Sequence, residues 1–274
     1  MAVYARDDPG LFERALASVF SNTLAPDQFV LVVDGPVPAD LERVIAPLAS
    51  RPACEVLRLA TNQGLANALN AGLERVRTAW TVRADADDFN LPQRFATLAQ
   101  AAATDPSLAV VGSAILEVDP DGSALSIRRP PLSQADILSR LPLRNPFNHM
   151  AVAYRTQSVR AVGGYPGVHL MEDYALWCRL ARAGARMRNL PEVLVQATTG
   201  ADMYKRRGGW RYIRSEFAMQ RTMVDLGLKA PGSAWMHGLA RSLVFALPGW
   251  ARGILYRRFL RTGAGTAPAA ARVR

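Results

Sequence analysis

The sequence predicts an α/β protein, a mostly parallel Rossmann-like sheet flanked by helices, with a basic helical extension at its C-terminal end. Three observations point there. Helical and strand patterns alternate along the first 120 residues, the signature of a doubly wound sheet. Phe29-Val30-Leu31-Val32-Val33 is apolar at five consecutive positions, as in a strand covered on both faces. Acidic residues stand where two of the strand patterns end, at Asp34 and at Asp85-Ala86-Asp87-Asp88, and open α/β sheets bind ligands outside the carboxyl ends of their strands.

The elements follow in order. Asp8-Pro9 reads as an N-cap with proline at the first helical position, and Leu11, Phe12, Ala15, Leu16, Val19 and Phe20 recur on one helical face. After the strand at Phe29, Val56 to Leu59 reads as a second strand. Leu65, Ala68, Leu69, Gly72, Leu73 and Val76 mark an amphipathic helix. Trp80-Thr81-Val82 is a strand ending at the acidic cluster, and Leu91 to Ala103 is helical. Beyond Leu108 to Val118 and a turn at Asp121-Gly122 the pattern loses regularity. It recovers at Glu172 to Ala183, a helix stopped by Gly184. Met1-Ala2-Val3 alone precede Tyr4. The expectation is therefore a late start or an unusually short first strand, since strands average about 5–6 residues.

Bulk properties exclude several classes. Half of the 274 residues are hydrophobic and a fifth are charged, unlike a disordered chain. No apolar run approaches the roughly 20 residues of a spanning helix; the longest, Ser242 to Ala251, is broken by Pro248-Gly249. Cys54 and Cys178 lie far apart and read as reduced, buried thiols; with no secretory signal they suggest a cytoplasmic protein. The net charge of +10 is uneven: from Lys205 onward there are 14 basic and 2 acidic residues, against 19 and 21 before it. Such a segment suits an anionic partner. No recognised module interleaves these charges with aromatics as nucleic-acid binding requires. A membrane surface is the expected partner, met by Leu239, Leu243, Leu247, Trp250, Ile254, Leu255 and Phe259 among Arg241, Arg252, Arg257, Arg258 and Arg261. A helix packed on the catalytic domain is the competing reading.

The acids carry the chemistry. Asp85 and Asp87 point to one side of extended backbone. Three crowded carboxylates suit a hard divalent ion, Mn²⁺ or Mg²⁺, shared with a diphosphate; a solvated acidic turn is the bland reading. Asp34 can accept from a base N–H or a ribose hydroxyl, or serve as a turn aspartate. Glu172-Asp173 opens a helix, where acids are also favoured by the dipole; the functional reading makes one of them a general base. His149 can touch acceptor or phosphate, or bond to backbone; a lone histidine makes no zinc site. Arg206-Arg207 can pair with phosphates, and Trp210 can stack on a sugar.

These pieces share a chain order, and in that order the sequence resembles family 2 glycosyltransferases of the GT-A fold. The matching segments are Val3-Tyr4, Val32-Val33-Asp34-Gly35, Asn62-Gln63-Gly64-Leu65 with Leu69-Asn70-Ala71-Gly72, and Arg83-Ala84-Asp85-Ala86-Asp87-Asp88. Then come Asn148-His149, Gly163-Gly164-Tyr165 and Glu172-Asp173-Tyr174-Ala175-Leu176-Trp177. The likeness spans roughly residues 1–200. Within the family it is most similar to bacterial enzymes of exopolysaccharide (amylovoran-type) or lipopolysaccharide assembly, a narrower match carried by the Met203 to Gly209 segment, Leu247-Pro248 and Tyr256-Arg257.

The resemblance implies a GT-A catalytic domain over 1–200; composition reads 201–262 as a basic helical segment and the Ala/Gly/Thr/Pro-rich 263–274 as a disordered tail. The resemblance also implies an inverting transfer from a nucleotide-sugar, UDP-linked by family habit, to a hydroxyl of a glycan or lipid-linked acceptor. Asp34 and Asp85 would contact the nucleoside, with Tyr4, Asn62, Gly64 and Arg83 in the donor site. Asp87, with Asp88, would hold the metal. Asp173 would be the base and Glu172 would orient the site or cap the helix; His149, Arg206 and Arg207 would face acceptor or phosphate. The sequence departs from the family where Val33, not a second acid, precedes Asp34. A nucleotidyltransferase of similar form is the alternative enzyme, though Arg6-Asp7-Asp8-Pro9-Gly10 lacks a basic glycine-rich phosphate loop. A catalytically degenerate membrane-binding protein is the non-enzymatic alternative.

Overall fold

The computed structural model describes residues 1–199 and 209–246. The Met203 to Gly208 part of the basic loop, Arg206 and Arg207 in it, and everything from Leu247 on lie outside the described residues.

The chain opens with strand β1 (Ala2–Val3) and helix α1 (Pro9–Phe20). Asp8 caps α1 through its side chain, which accepts the Leu11 N–H at 2.8 Å, so the expected cap is present. Strand β2 (Phe29–Asp34) is buried at every position. Helix α2 (Ala39–Ile45), strand β3 (Cys54–Leu59), helix α3 (Leu65–Arg75) and strand β4 (Trp80–Val82) follow. The order β1-β2-β3 makes a parallel sheet. On one face of β2, Phe29, Leu31 and Val33 pack with Phe12, Leu16 and Val19 of α1 and with Leu41 and Ile45 of α2. On the other, Val30 and Val32 meet Ala68 of α3. The approach of α3 depends on Gly72, where a Cβ would sit 2.9 Å from a Val32 methyl.

The second half is a mixed sheet. Strands β5 (Phe89–Asn90), β6 (Leu108–Val118), β7 (Ala124–Arg128), β8 (Ala153–Arg155) and β9 (Arg186–Thr198) join β4 in the order β4-β8-β6-β9-β5, with β7 on the side of β6. The expected parallel pairing holds for β1-β2-β3 and for β6 with β9. β4, β5, β7 and β8 pair antiparallel instead. For β7 the cause is visible at Asp121-Gly122: a tight turn returns it beside β6, and only a long crossover can make strands parallel.

Helices α4 (Arg94–Thr104), α5 (Gln134–Arg140), α6 (Thr156–Ala161) and α7 (Glu172–Arg182) cover the sheets. The larger core gathers Leu176, Trp177 and Leu180 of α7 with Val110, Phe147 and Val152. Helices α8 (Trp210–Asp225) and α9 (Pro231–Ala246) form a pair in which Met219 and Met223 of α8 enter that same core. Polar contacts pin the pair: Arg241 meets Glu216 at 2.8 Å, and Lys229 donates to Gln220 at 2.9 Å and to the Pro142 carbonyl at 2.8 Å. Arg241, assigned from sequence to a membrane-facing set, is thus engaged with a buried acid. No helix among the described residues is long and apolar enough to cross a membrane. Cys54 and Cys178 are free thiols, Cys178 fully buried.

Candidate active site

The site begins where β4 leaves the sheet. Arg83 adds one more rung, its N–H bonding to the Val152 carbonyl. Ala84 and Ala86 then turn inward, packing with the α1–β2 core. Strand-like alternation sends Asp85 and Asp87 the other way. The carboxylate oxygens of Asp85, Asp87 and Asp88 all lie within 4.8 Å of one another. Asp87 is exposed and Asp88 is buried. One oxygen of Asp88 accepts the Thr198 N–H at 2.9 Å, while its Oδ2 is buried with no partner among the described residues.

The local charge is poorly compensated. The Arg83 guanidinium, 4% exposed, lies 2.5 Å from Asp85. Although its surface is open, the crowding of protein around the Asp87 carboxylate thins its hydration, and this desolvation, with the charges of Asp85 and Asp7, pushes it up to about 6. Burial, with Asp85 and Asp87, pushes Asp88 well above the usual carboxylate range. An orphaned buried oxygen, three converging hard donors and repulsion among them fit a divalent cation with open positions for a diphosphate. Sequence reasoning passed over two supports. Asp7, raised to about 6 mainly by burial, accepts the Tyr4 N–H at 2.9 Å and faces Asp85. Arg94, fully buried, donates to the carbonyls of Arg83 at 2.7 Å and Met150 at 2.8 Å and to Asn90. Its place beside Phe95 and Leu98 on the buried face of α4 was the available signal.

Asp34 sits at the end of β2, buried, with both oxygens in use. It accepts the Gln63 N–H at 2.7 Å and the Gly64 N–H at 3.0 Å, and Asn62 donates to its carbonyl at 3.1 Å. Gly35 permits this clasp: its φ is 86°, and a Cβ there would stand 2.6 Å from the Asn62 nitrogen. Asp34, Asn62 and Gly64 therefore form one structural unit beside the half-exposed Tyr4.

A second pair of acids stands at the start of α7. Glu172 and Asp173 occupy its first turn, where the helix N-terminus favours acids. Burial and the Asp173 charge push Glu172 up to about 7. Asn145 donates to Asp173 at 2.6 Å, a contact no spacing in the sequence announces. His149 bonds to the Tyr165 hydroxyl at 3.1 Å, and its ring lies 6.3 Å from that of Trp177. Burial first and the Arg83 charge second lower its pKa, while Asp173 and Asp85 both act to raise it. His149 thus feels the charges of both Asp85 and Asp173. Asn70 fixes Tyr165 by a two-way clasp, 2.7 Å and 2.9 Å. Trp210 begins α8 and is 71% exposed.

Comparison with known proteins gives the family and the fold. Residues 1–161 match the family model described as Glycosyl transferase family 2. The chain is 36% identical over 260 residues to the amylovoran biosynthesis glycosyltransferase AmsE of Erwinia amylovora, covering 94% of this chain and 97% of that one. It is 32% identical over 261 residues to the UDP-Gal:alpha-D-GlcNAc-diphosphoundecaprenol beta-1,3-galactosyltransferase of Escherichia coli, covering 95% of each. Among solved structures it resembles the mannosyltransferase PcManGT from Pyrobaculum calidifontis, in complex with GDP-Man and Mn²⁺. There the TM-score is 0.61 at 19% identity, over 98% of this chain and 76% of that one. The fold is GT-A, and the chain belongs to glycosyl transferase family 2.

Proposed function

We propose that this glycosyltransferase moves a sugar from a nucleoside-diphosphate donor, UDP-linked, to a hydroxyl of a glycan or lipid-linked acceptor in bacterial surface-polysaccharide assembly, with inversion at the anomeric carbon. The observation that carries the reading is the convergence of Asp85, Asp87 and Asp88, whose oxygens lie within 4.8 Å of one another, together with His149 packed against Trp177 of the helix that Glu172 and Asp173 open. The two relatives above, with their printed roles in amylovoran and diphosphoundecaprenol-linked chemistry, support the acceptor class.

Asp87, Asp85 and the free oxygen of Asp88 would hold Mn²⁺ or Mg²⁺. The bound cation stabilises negative charge on the departing diphosphate. Asp34 keeps the Asn62–Gly64 loop closed and uses its remaining lone pairs toward the nucleoside; Tyr4 and Arg83 flank it. Asp173 takes the acceptor proton at a carboxylate oxygen as that hydroxyl attacks opposite the leaving group. A positioned base contributes roughly 10²–10⁴-fold. Glu172 orients the site, and His149 borders the acceptor. Arg206 and Arg207 are assigned to phosphate. Family membership sets the nucleotidyltransferase alternative aside.

Residence on the inner face of the cell membrane completes the reading. Trp235, Met236, Leu239 and Leu243 are exposed apolar residues on α9, and Arg211, Arg214 and Arg221 are exposed on its partner α8. That combination suits an anionic interface. The test is a transfer assay with a panel of UDP-sugars and a diphosphate-linked GlcNAc acceptor, with and without Mn²⁺, reading product configuration by NMR. Metal-dependent transfer with inversion is expected; retention of configuration, or full activity in excess chelator, contradicts the mechanism.

A further inference from the structure

We propose that Asn145 is the positioning residue of the reaction, holding the Asp173 carboxylate so that one oxygen is presented to the acceptor. The inference rests on the reading of Asp173 as the base. Asn145 Nδ2 donates to Asp173 Oδ2 at 2.6 Å. At the other end of the same amide, Oδ1 accepts the Phe147 N–H at 3.1 Å. An asparagine amide has one accepting and one donating end. Flipping it would set its oxygen against a carboxylate and its NH₂ against a backbone N–H, two repulsive pairs at once. The turn at Phe147 therefore selects the orientation that offers a donor to Asp173.

The turn that carries Asn145 is itself held rigidly. The Pro146 carbonyl accepts from Asn189 at 3.2 Å. Asn148 donates to the Ser113 carbonyl at 2.9 Å. The Phe147 ring lies 5.1 Å from that of Trp177, which follows Asp173 by one turn of α7, on the face that i and i+4 residues share. Loop and base are locked to one another by the packed ring pair and by the hydrogen bond. With Oδ2 held, rotation of the carboxylate is stopped, and Oδ1 is the oxygen presented to the incoming hydroxyl. A charge-assisted hydrogen bond of this kind is among the stronger neutral-to-ion contacts, and misplacing a catalytic group by an ångström is costly in rate.

Two substitutions separate positioning from loop support. Asn145→Asp keeps the oxygen that caps Phe147 but replaces the donor with a second carboxylate. Asn145→Ala removes both contacts. Positioning predicts that kcat falls about a hundred-fold in Asn145→Asp and about ten-fold in Asn145→Ala, with the donor KM changed less than about two-fold in either. A residue serving the loop alone predicts the reverse order, because aspartate caps the Phe147 amide as asparagine does. That reverse order, or wild-type kcat in Asn145→Asp, overturns the assignment. If Asn145→Asp melts below the assay temperature, the uncharged Asn145→Ala decides, and an unchanged kcat there overturns it. Asp173→Asn is assayed alongside. Wild-type turnover in that variant removes the base reading and this inference with it. An inactive Asp173→Asn beside a fully active Asn145→Asp removes the positioning role alone.

Discussion

Glu172 and Asp173 are adjacent, yet their surroundings differ: Asn145 donates to Asp173, while burial perturbs Glu172. Glu172 is raised to about 7 by burial and by the Asp173 charge, so it holds a proton in the folded chain that the unfolded chain releases nearer its ordinary 4.5. Such a group costs stability as pH rises through that window. The wild-type melting temperature should therefore fall between pH 4.5 and 7 relative to Glu172→Gln, which cannot ionise. Parallel melting curves of the two proteins over that range would contradict the assignment. In catalysis the order reverses: Asp173→Asn should lower kcat roughly 10²–10⁴-fold with donor KM nearly unchanged, while Glu172→Gln keeps measurable turnover. A dead Glu172→Gln beside an active Asp173→Asn would show that the other carboxylate is the base. On the metal side, Asp87→Ala removes the exposed member of the cluster without opening a core cavity. Transfer should be lost, while the melting temperature in the absence of metal stays level or rises, since a repelling charge has gone. Retained activity in excess chelator would mean that Asp87 holds no essential ion.

At the scale of elements, β1 is the anomaly, two residues long as its short apolar lead suggested. Met1 already occupies a ladder position: its ammonium donates to the Val30 carbonyl at 2.9 Å and its carbonyl accepts from Val32. Burial lowers that ammonium to about 5. Behind it, between β2, β4, α3 and α4, lies a cavity of about 440 Å³ lined by Val30, Leu73, Trp80, Val82 and Leu98. Adding a Val-Ser-Val run ahead of Met1 should turn the buried ammonium into a ladder amide and fill part of the cavity. Burying one such side chain is worth about 1.5–3 kcal/mol, so the melting temperature should rise by roughly 3–6 °C. Extra residues that stay sensitive to protease and leave the melting point unmoved would mean the slot does not take a strand. In the first half α1, β2, α3 and β4 were legible because each shows an unbroken period, while the seven-residue α2 and the two-residue β5 are too short to show one. The second half was less legible. β9 pairs with β6 along most of its length, but the register jumps from Ser113–Leu190 to Ala114–Val193. Pro191 and Glu192 are looped out there, as befits a residue with no N–H to donate, and the alternation that would have revealed the strand is broken.

For the whole molecule, the α8–α9 pair decides how the basic quarter can be tested. α9 packs on α8, with Gly238 close to the Phe217 ring and the Phe245 ring 5.3 Å from that of Tyr212, so removing the chain from residue 233 onward would uncover apolar surface and confuse folding with binding. Surface substitution is the cleaner probe. Trp235→Ser, Met236→Ser and Leu243→Ser together should weaken binding to vesicles containing anionic lipid at least about a hundred-fold, given about 1.5–3 kcal/mol for each large side chain withdrawn from an apolar phase. The triple variant should keep its melting temperature and its turnover on a water-soluble acceptor. Vesicle binding that survives all three changes would place the anchor elsewhere. High salt should weaken the wild-type interaction as well, because the basic contribution is screened.

The sequence by itself determined the α/β class, the family and the acids at Asp85, Asp87, Asp88 and Glu172-Asp173. Each of these is a local property: a period of apolar residues, or a short run whose order along the chain is distinctive. Only the tertiary structure decided which partners those acids have. That Asp34 uses both oxygens on the Gln63 and Gly64 amides, that Arg94 supports the Arg83 and Met150 carbonyls from inside the core, and that Asn145 reaches Asp173 across 28 positions are contacts between distant segments. Hydrogen-bond partners and burial depend on how the sheet and helices pack. A pattern read along one segment carries local geometry, and it holds no record of which other segment will be brought against it.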